Sequence, residues 1–117
     1  MKNKDTGNRG ENIAAEFLLS RNYILLERNW RYRYWEIDLI VSKEDTLHFI
    51  EVKTRTSEQY GKPEESISPQ KMSALKKAAA AYLDQHSQWK KIQFDVVAIL
   101  LEYSAAKEIF MIEDVYF

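Results

Sequence analysis

Two apolar segments separated by a short polar stretch constrain the fold of this chain more than any other feature. The first covers residues 36–42 and the second residues 46–54, and the polar residues Lys43-Glu44-Asp45 between them predict a turn. Strands joined by so short a connection pair as an antiparallel hairpin. Both segments are mostly apolar, so we expect the two strands to be largely buried within a β-sheet.

The rest of the chain predicts two helices and three further strands. Apolar residues recur at helical spacing over residues 8–20 and again from Ser68-Pro69 to about residue 85, where a serine cap precedes proline at the first helical position. Strands are predicted over residues 23–30, 92–101 and 109–116, a turn over residues 31–34, and a loop over residues 56–67. The expected buried stripes are Ile13, Ala14, Phe17 and Leu18 in the first helix and Met72, Leu75, Ala79, Tyr82 and Leu83 in the second.

The order of these elements, α-β-β-β-α-β-β, predicts a fold class and a topology. We expect one domain over residues 1–117, of the α/β (mixed α+β) class, with a central mixed five-stranded sheet flanked by helices. The helix between the third and fourth strands predicts a parallel crossover there.

Composition narrows the function classes. The chain has no cysteine, which excludes disulfides and thiolate metal sites. Its net charge of −1 argues against a dedicated nucleic-acid coat protein, although basic residues cluster locally. No apolar run has the length of a signal peptide core or a membrane span, so we expect a cytoplasmic protein without a membrane partner.

Charged residues in the middle of the two apolar strands carry the chemical signal. Asp38 lies in the first strand, while Glu51 and Lys53 lie in the second. If the turn has an even number of residues, the register places Asp38 opposite Glu51 and Glu36 opposite Lys53; an odd turn without a bulge removes this arrangement. Two opposed carboxylates repel each other unless a proton or cation lies between them, and Mg²⁺ accepts such oxygen ligands.

This pattern is typical of phosphodiester hydrolysis. Asp38 and Glu51 would hold the metal, the Val52 carbonyl could add a ligand, and Lys53 would stabilise negative charge or orient a water molecule. The alternative is a structural salt-bridge cluster in which Lys53 neutralises Glu51 or Glu36.

Other residues have both a structural and a functional interpretation. Glu11 is favoured by the helix dipole in the first turn of its helix, or it supplies a third acidic group to the metal site. Asp95, on a buried strand, predicts a structural hydrogen-bonding role, and His48 alternates away from Glu51 and is not expected to be a ligand. Aromatic and basic residues alternate over residues 30–35 and either stack on nucleic-acid bases or pack around the sheet edge.

Several motifs, taken together and in order, resemble the YraN family of bacterial proteins of unestablished function. They are Gly7-x-x-Gly10-Glu11, Asn29-Trp30, Glu36-Ile37-Asp38-Leu39-Ile40, Phe49-Ile50-Glu51-Val52-Lys53-Thr54-Arg55 and Phe94-Asp95-Val96-Val97. That family is similar to the restriction-endonuclease-like superfamily, which includes archaeal Holliday-junction resolvases. One position departs from the family pattern, because Trp35 stands where glycine usually precedes Glu36. Its ring either narrows access to the site or provides a stacking surface.

The resemblance implies a set of site residues and a function. It implies Glu11, Asp38, Glu51 and Lys53 as catalytic residues, and Lys71 as a basic position after the loop. We expect a Mg²⁺- or Mn²⁺-dependent endonuclease acting on DNA, including branched DNA, and a homodimer because resolvases generally work as dimers. The predicted nucleic-acid contacts are Arg31, Arg33, Arg55 and Lys71. The alternatives are a non-catalytic nucleic-acid-binding module that retains the fold, and an interaction protein that holds a partner at the sheet edge or at the loop over residues 56–67.

Overall fold

The computed structural model describes the backbone of residues 4–56, 68–103 and 105–115, and the side chains of these residues from residue 8 onward. The order α-β-β-β-α-β-β and the mixed α/β class with a helix-flanked sheet are confirmed. The elements are α1 (Lys4–Ser20), β1 (Ile24–Tyr32), β2 (Trp35–Lys43), β3 (Thr46–Thr56), α2 (Pro69–Gln85), β4 (Lys91–Glu102) and β5 (Ala105–Ile112).

The five strands form one sheet in the order β1-β2-β3-β4-β5. All neighbours pair antiparallel except β3 and β4, which are parallel and joined through α2, as the crossover prediction required. The last strand covers Ala105–Ile112 rather than residues 109–116. It begins earlier because the chain reverses at Tyr103, whose φ of 53° marks a tight turn, and pairs with β4 from Ala105 onward.

Both hairpin turns on the first three strands are shorter than predicted. Tyr32 pairs with Trp35, which leaves two residues in the first turn, and Lys43 pairs with Thr46, which leaves two in the second. The first residue of each turn, Arg33 and Glu44, has positive φ, a feature of the tight turns whose twist matches that of paired strands. The β2–β3 turn therefore has the even length on which the predicted register depends.

The two helices cover opposite faces of the sheet. Helix α1 packs Ala14 and Leu18 against one face, here called the α1 face, where Ile50 and Val52 of β3 are buried. Helix α2 packs against the other, the α2 face, which carries Phe49. Since successive residues of a strand point to opposite faces, the central strand β3 is apolar on both sides. The buried residues of α2 are Met72, Leu75, Ala78, Ala79 and Tyr82.

Helix α1 lies close against the sheet at Gly10. A Cβ atom at this position would lie 2.0 Å from Oγ1 of Thr54 on β3, so only glycine fits without displacement. The Thr54 hydroxyl is buried and has no hydrogen-bond partner within the described part of the chain. Glu11 directly follows this contact and is therefore held at the α1 face.

Helix α2 begins as its sequence predicts. Oγ of Ser68 accepts a hydrogen bond of 3.0 Å from the Lys71 backbone N–H, and Pro69 occupies the first helical turn. This cap sets the direction of the first turn and so the position of Lys71. The predicted loop over residues 56–67 lies outside the described residues, apart from Thr56 in β3. Neither of the described helices has the length and apolarity needed to cross a membrane.

Candidate metal centre

Strand β2 loses its regular alternation at Asp38. Ile37 and Ile40 both pack in the cluster on the α2 face, although residues three apart in a regular strand point to opposite faces. Leu39, between them, packs on the α1 face. On the neighbouring strand, Asn29 adopts a positive φ of 51°. The sheet is therefore locally distorted where the carboxylate lies.

The backbone pairing of β2 with β3 ends at the same place. The last paired residues are Leu39 and Ile50, and continuing the register would place Asp38 level with Glu51. Beyond that point a side chain replaces the backbone as the hydrogen-bond acceptor: Oδ2 of Asp38 accepts a hydrogen bond of 2.8 Å from the Val52 backbone N–H. The half-buried Asp38 carboxylate thus contacts the peptide that joins Glu51 to Val52.

Glu51 lies on the α2 face beside two lysines. Its side chain is only 5% exposed, and Oε2 is 3.4 Å from Nζ of Lys53 and 3.3 Å from Nζ of Lys71. Burying a lone carboxylate is costly, and the two ammonium groups offset that cost. Lys53 is mostly buried whereas the Lys71 side chain is 44% exposed, so solvent reaches the pair from the side of α2.

The oxygen donors at this point match a hard divalent cation. Asp38 and Glu51 supply carboxylates, and the Val52 carbonyl points toward β2 because the N–H and C=O groups of one residue in a strand face the same neighbour. The described residues contain no group of three or more His, Cys, Asp or Glu side chains placed to hold a metal. Two carboxylates completed by a main-chain oxygen and water form a set that Mg²⁺ accepts.

Glu11 is not brought into this group. It is 8% exposed on α1, which packs on the face opposite to α2 and Glu51. Its carboxylate makes no hydrogen bond or ion pair with the residues the structure describes. The catalytic role that the family resemblance implies for Glu11 stays a prediction.

One pairing expected from the sequence differs in the structure. Glu36 does not face Lys53, because the β2–β3 ladder ends before that level; it pairs instead with Arg31 across the β1–β2 hairpin at 3.1 Å. Arg55 is half-buried, and its Nη1 donates to the Thr54 carbonyl at 3.4 Å. Arg33 is exposed at the hairpin turn. The proposed nucleic-acid contacts of these arginines are untested predictions.

A second polar cluster lies on the α1 face. Nδ1 of His48 is 2.6 Å from Oδ2 of Asp95. The other carboxylate oxygen of Asp95, Oδ1, accepts hydrogen bonds from Nε2 of Gln93 at 2.9 Å and from the Asp114 backbone N–H at 2.8 Å. This arrangement confirms the structural hydrogen-bonding role predicted for Asp95 and the orientation of His48 away from Glu51. His48 borders a cavity of about 570 Å³ that none of the predicted site residues lines.

Two contributions to the site could not be found from sequence reasoning. The break in alternation at Asp38 has no local signal, because the segment consists of strand-forming residues with no proline or glycine. The contact of Lys71 with Glu51 joins residues on two elements, and only the packing of α2 on the sheet brings them together.

Comparison with known proteins places the chain in a family. The model of an uncharacterised protein family, UPF0102, matches residues 10–99. A UPF0102 protein of Syntrophomonas wolfei subsp. wolfei is 45% identical over 106 residues, covering 90% of this chain and 92% of that protein. Similar relatives occur in Dictyoglomus turgidum, at 44% identity with 86% of each chain covered, and in Rhodococcus opacus, at 37% with 94% of each covered. The match over most of the chain confirms the family that the motifs indicated: this chain belongs to the uncharacterised protein family UPF0102, the YraN family.

Proposed function

We propose that this chain is a metal-dependent endonuclease that hydrolyses DNA phosphodiester bonds. The observation that carries the proposal is the position of the Asp38 carboxylate, at the end of the β2–β3 pairing and against the peptide that follows Glu51. This position brings a second carboxylate to the backbone of the buried Glu51, and active sites characteristically combine burial with acidic groups placed close together.

Each residue of the centre has a chemical task. Asp38, Glu51 and the Val52 carbonyl would hold Mg²⁺ or Mn²⁺. When bound, such an ion activates a water molecule and stabilises negative charge on phosphate oxygens. Lys53, fixed 3.4 Å from Glu51, places its ammonium where it stabilises negative charge that develops on the phosphate. Lys71 and Arg33 are exposed and can contact phosphates on either side of the scissile bond.

Cleavage by the purified full chain tests this proposal. Supercoiled plasmid, linear duplex and four-way junction DNA are incubated with Mg²⁺ or Mn²⁺, and products are separated on gels. We expect the wild type to cleave DNA and Asp38→Asn to cleave at least about a hundredfold more slowly. The reason is that a neutral amide replaces the negatively charged carboxylate ligand, while its oxygen still accepts the hydrogen bond from Val52 N–H. Lys53→Ala should reduce the rate to a similar extent.

A matched control separates chemistry from folding. Asp45→Asn makes the same substitution at the other end of the β2–β3 hairpin, where Asp45 is exposed and paired only with Lys91 and Thr46 among the described residues. It should cleave at the wild-type rate, and melting curves check that each variant is folded. Equal cleavage by Asp38→Asn and wild type, or no cleavage of any substrate with either metal, contradicts the proposal.

A second candidate function is a non-catalytic nucleic-acid-binding module. It is favoured by the ion pairs of Glu51, whose Oε2 is already neutralised by Lys53 and Lys71 without a metal. This function predicts DNA binding that weakens with salt, persists in a chelator and is reduced only modestly in Lys53→Ala. Metal-independent binding without cleavage would favour it over the endonuclease.

A further inference from the structure

Three aromatic rings form a continuous array on the β1–β2 hairpin. Trp30 and Tyr32 lie two apart on β1, with ring centroids 6.3 Å apart and planes inclined by 7°. Trp35 is the direct cross-strand partner of Tyr32, at 6.0 Å and 21°. The three residues are here called the aromatic platform. All three rings are half-buried, so part of each remains open to solvent.

The core holds the platform in place from one end. Trp30 packs edge-on against the buried ring of Tyr82, at 5.1 Å and 90°, and both Trp30 and Trp35 border the cluster on the α2 face. Tyr32 belongs to none of the core clusters. A ring with no place in the core, stacked between two tryptophans, is not explained by core packing alone.

Two cations border the platform and have no anionic partner there. The Arg33 guanidinium lies 5.4 Å from the Tyr32 ring centroid, and the Lys77 ammonium lies 5.6 Å from that of Trp35. Neither group pairs with a carboxylate among the residues the structure describes. Cations that pair with no carboxylate among the described residues, beside partly exposed aromatic rings, complement a ligand with flat rings and negative charges, the chemistry of a nucleotide chain.

The platform and the candidate metal centre share a strand. Trp35 precedes Asp38 by three positions on β2, which corresponds to roughly 10 Å at the rise of a β-strand. Glu51 lies on the same face of the sheet as Trp30 and Trp35, because it contacts Lys71 of α2. A chain lying on the platform can therefore extend toward the candidate metal centre without crossing the sheet.

From this geometry we infer that the aromatic platform binds unpaired nucleotides of single-stranded DNA beside the metal centre, an inference that rests on the proposed function. Bases inside a duplex stack on each other and offer no free faces, whereas unpaired bases stack on side-chain rings irrespective of sequence. The substrate class is accordingly DNA with a single-stranded segment next to the cleaved bond, such as a flap or an open branch.

Binding of a labelled oligothymidylate by the full chain tests the inference. Fluorescence anisotropy is measured in a chelator, so that no cleavage occurs, and quenching of tryptophan fluorescence reports contact with the rings. Tyr32→Ala removes the central ring and should weaken binding about tenfold or more. Tyr32→Phe keeps the ring and should bind like the wild type, while Lys77→Ala should weaken binding and lower its salt dependence.

The controls separate this inference from the proposed function. Tyr103→Ala removes an exposed tyrosine from the turn between β4 and β5, at the edge of the sheet opposite to β1 and β2, and should not change binding. If duplex DNA is cleaved in an Asp38-dependent manner while Tyr32→Ala binds the oligonucleotide like the wild type, the inference is wrong and the proposed function stands. If neither oligonucleotide nor duplex is bound, both are wrong.

Discussion

Glu51 shows how one residue serves two interactions at the centre of this molecule. Its carboxylate is the counterion of Lys53 and Lys71, and it is also one of the two acidic groups that we propose as metal ligands. Replacing Glu51 would therefore remove a proposed ligand and at the same time leave two ammonium groups without their partner, which costs stability. Asp38 is the cleaner probe of metal chemistry, because asparagine keeps the acceptor for Val52 N–H.

Tyr82 carries a pH-dependent contribution to stability. Its ring projects from α2 and is buried against the sheet, and its hydroxyl donates to Oε2 of Glu27 at 3.4 Å. Burial, followed by the negative charge of Glu27, raises the pKa of Tyr82 above the ordinary value of 10.0. Since the folded pKa exceeds the unfolded one, this contribution is complete below about pH 10 and is lost as the pH rises through the folded value.

We therefore expect Tyr82→Phe to flatten the loss of stability in alkali. Melting temperatures measured from about pH 8 to about pH 11 should fall less steeply in this variant than in the wild type, because phenylalanine has no proton to lose. Tyr103→Phe, at an exposed tyrosine, serves as the control and should follow the wild-type curve. Parallel curves for Tyr82→Phe and wild type would show that Tyr82 does not contribute.

At the scale of elements, the contact of α1 with β3 decides how closely the first helix approaches the sheet. Gly10 allows the helix backbone to reach Thr54, while Ala14 and Leu18 farther along the helix bury their side chains. Glycine inside a helix costs roughly 1 kcal/mol relative to alanine, so the chain accepts a weaker helix for a closer approach. The contact also fixes the position of Glu11 one residue later.

Gly10→Ala should destabilise the protein despite its better helix propensity. A methyl group 2.0 Å from Thr54 Oγ1 forces a shift, and overpacking of this kind costs about 1–3 kcal/mol, toward the upper end for so short a contact. The double variant Gly10→Ala/Thr54→Ala should recover part of the loss, because the unbonded hydroxyl is removed. Urea unfolding measures the free energy of unfolding of both variants. If the loss of stability in the double variant equals the sum of the losses in the two single variants, the proposed clash is contradicted.

The type and order of the helices and strands can be predicted from the sequence pattern, whereas the residues at which they begin and end are predicted less accurately. The face of α2 is predicted well, with Met72, Leu75, Ala79 and Tyr82 all buried, because a periodic apolar stripe has one way to face a sheet. The predicted strand over residues 109–116 begins too late, because the first half of β5, residues 105–108, is exposed and carries no apolar alternation. Its pairing with β4, rather than burial, defines that half as a strand.

At the scale of the whole molecule, the residues of the candidate metal centre come together at one end of the sheet. Residues from β2, β3 and the first turn of α2 converge there, and the β1–β2 hairpin carries the aromatic platform next to them. The cavity beside His48 lies at the opposite end of β3 and on the other face. The side chains of the candidate metal centre are therefore positioned by β2, β3 and α2, and none of them lines that cavity.

Binding of a divalent cation should stabilise the whole fold. A metal that binds only the folded chain raises the free energy of unfolding by about 2.7 kcal/mol at a hundred times its Kd. We expect Mg²⁺ to raise the melting temperature of the wild type and of Asp45→Asn by several degrees relative to sodium chloride of equal ionic strength. Asp38→Asn should lose this shift, and an equal shift in Asp38→Asn would place the metal elsewhere.

The sequence by itself determined the order of elements, the faces they bury and the choice of Asp38, Glu51 and Lys53 as candidates. These follow from local periodicity and from the cost of burying charge, both of which can be read along a single strand or helix. Only the tertiary structure decided the break in alternation at Asp38, the ion pair of Lys71 with Glu51 and the stacking of Tyr32 with Trp35. Those contacts depend on how separate segments meet in space, and no periodicity within one segment encodes the distance between two of them.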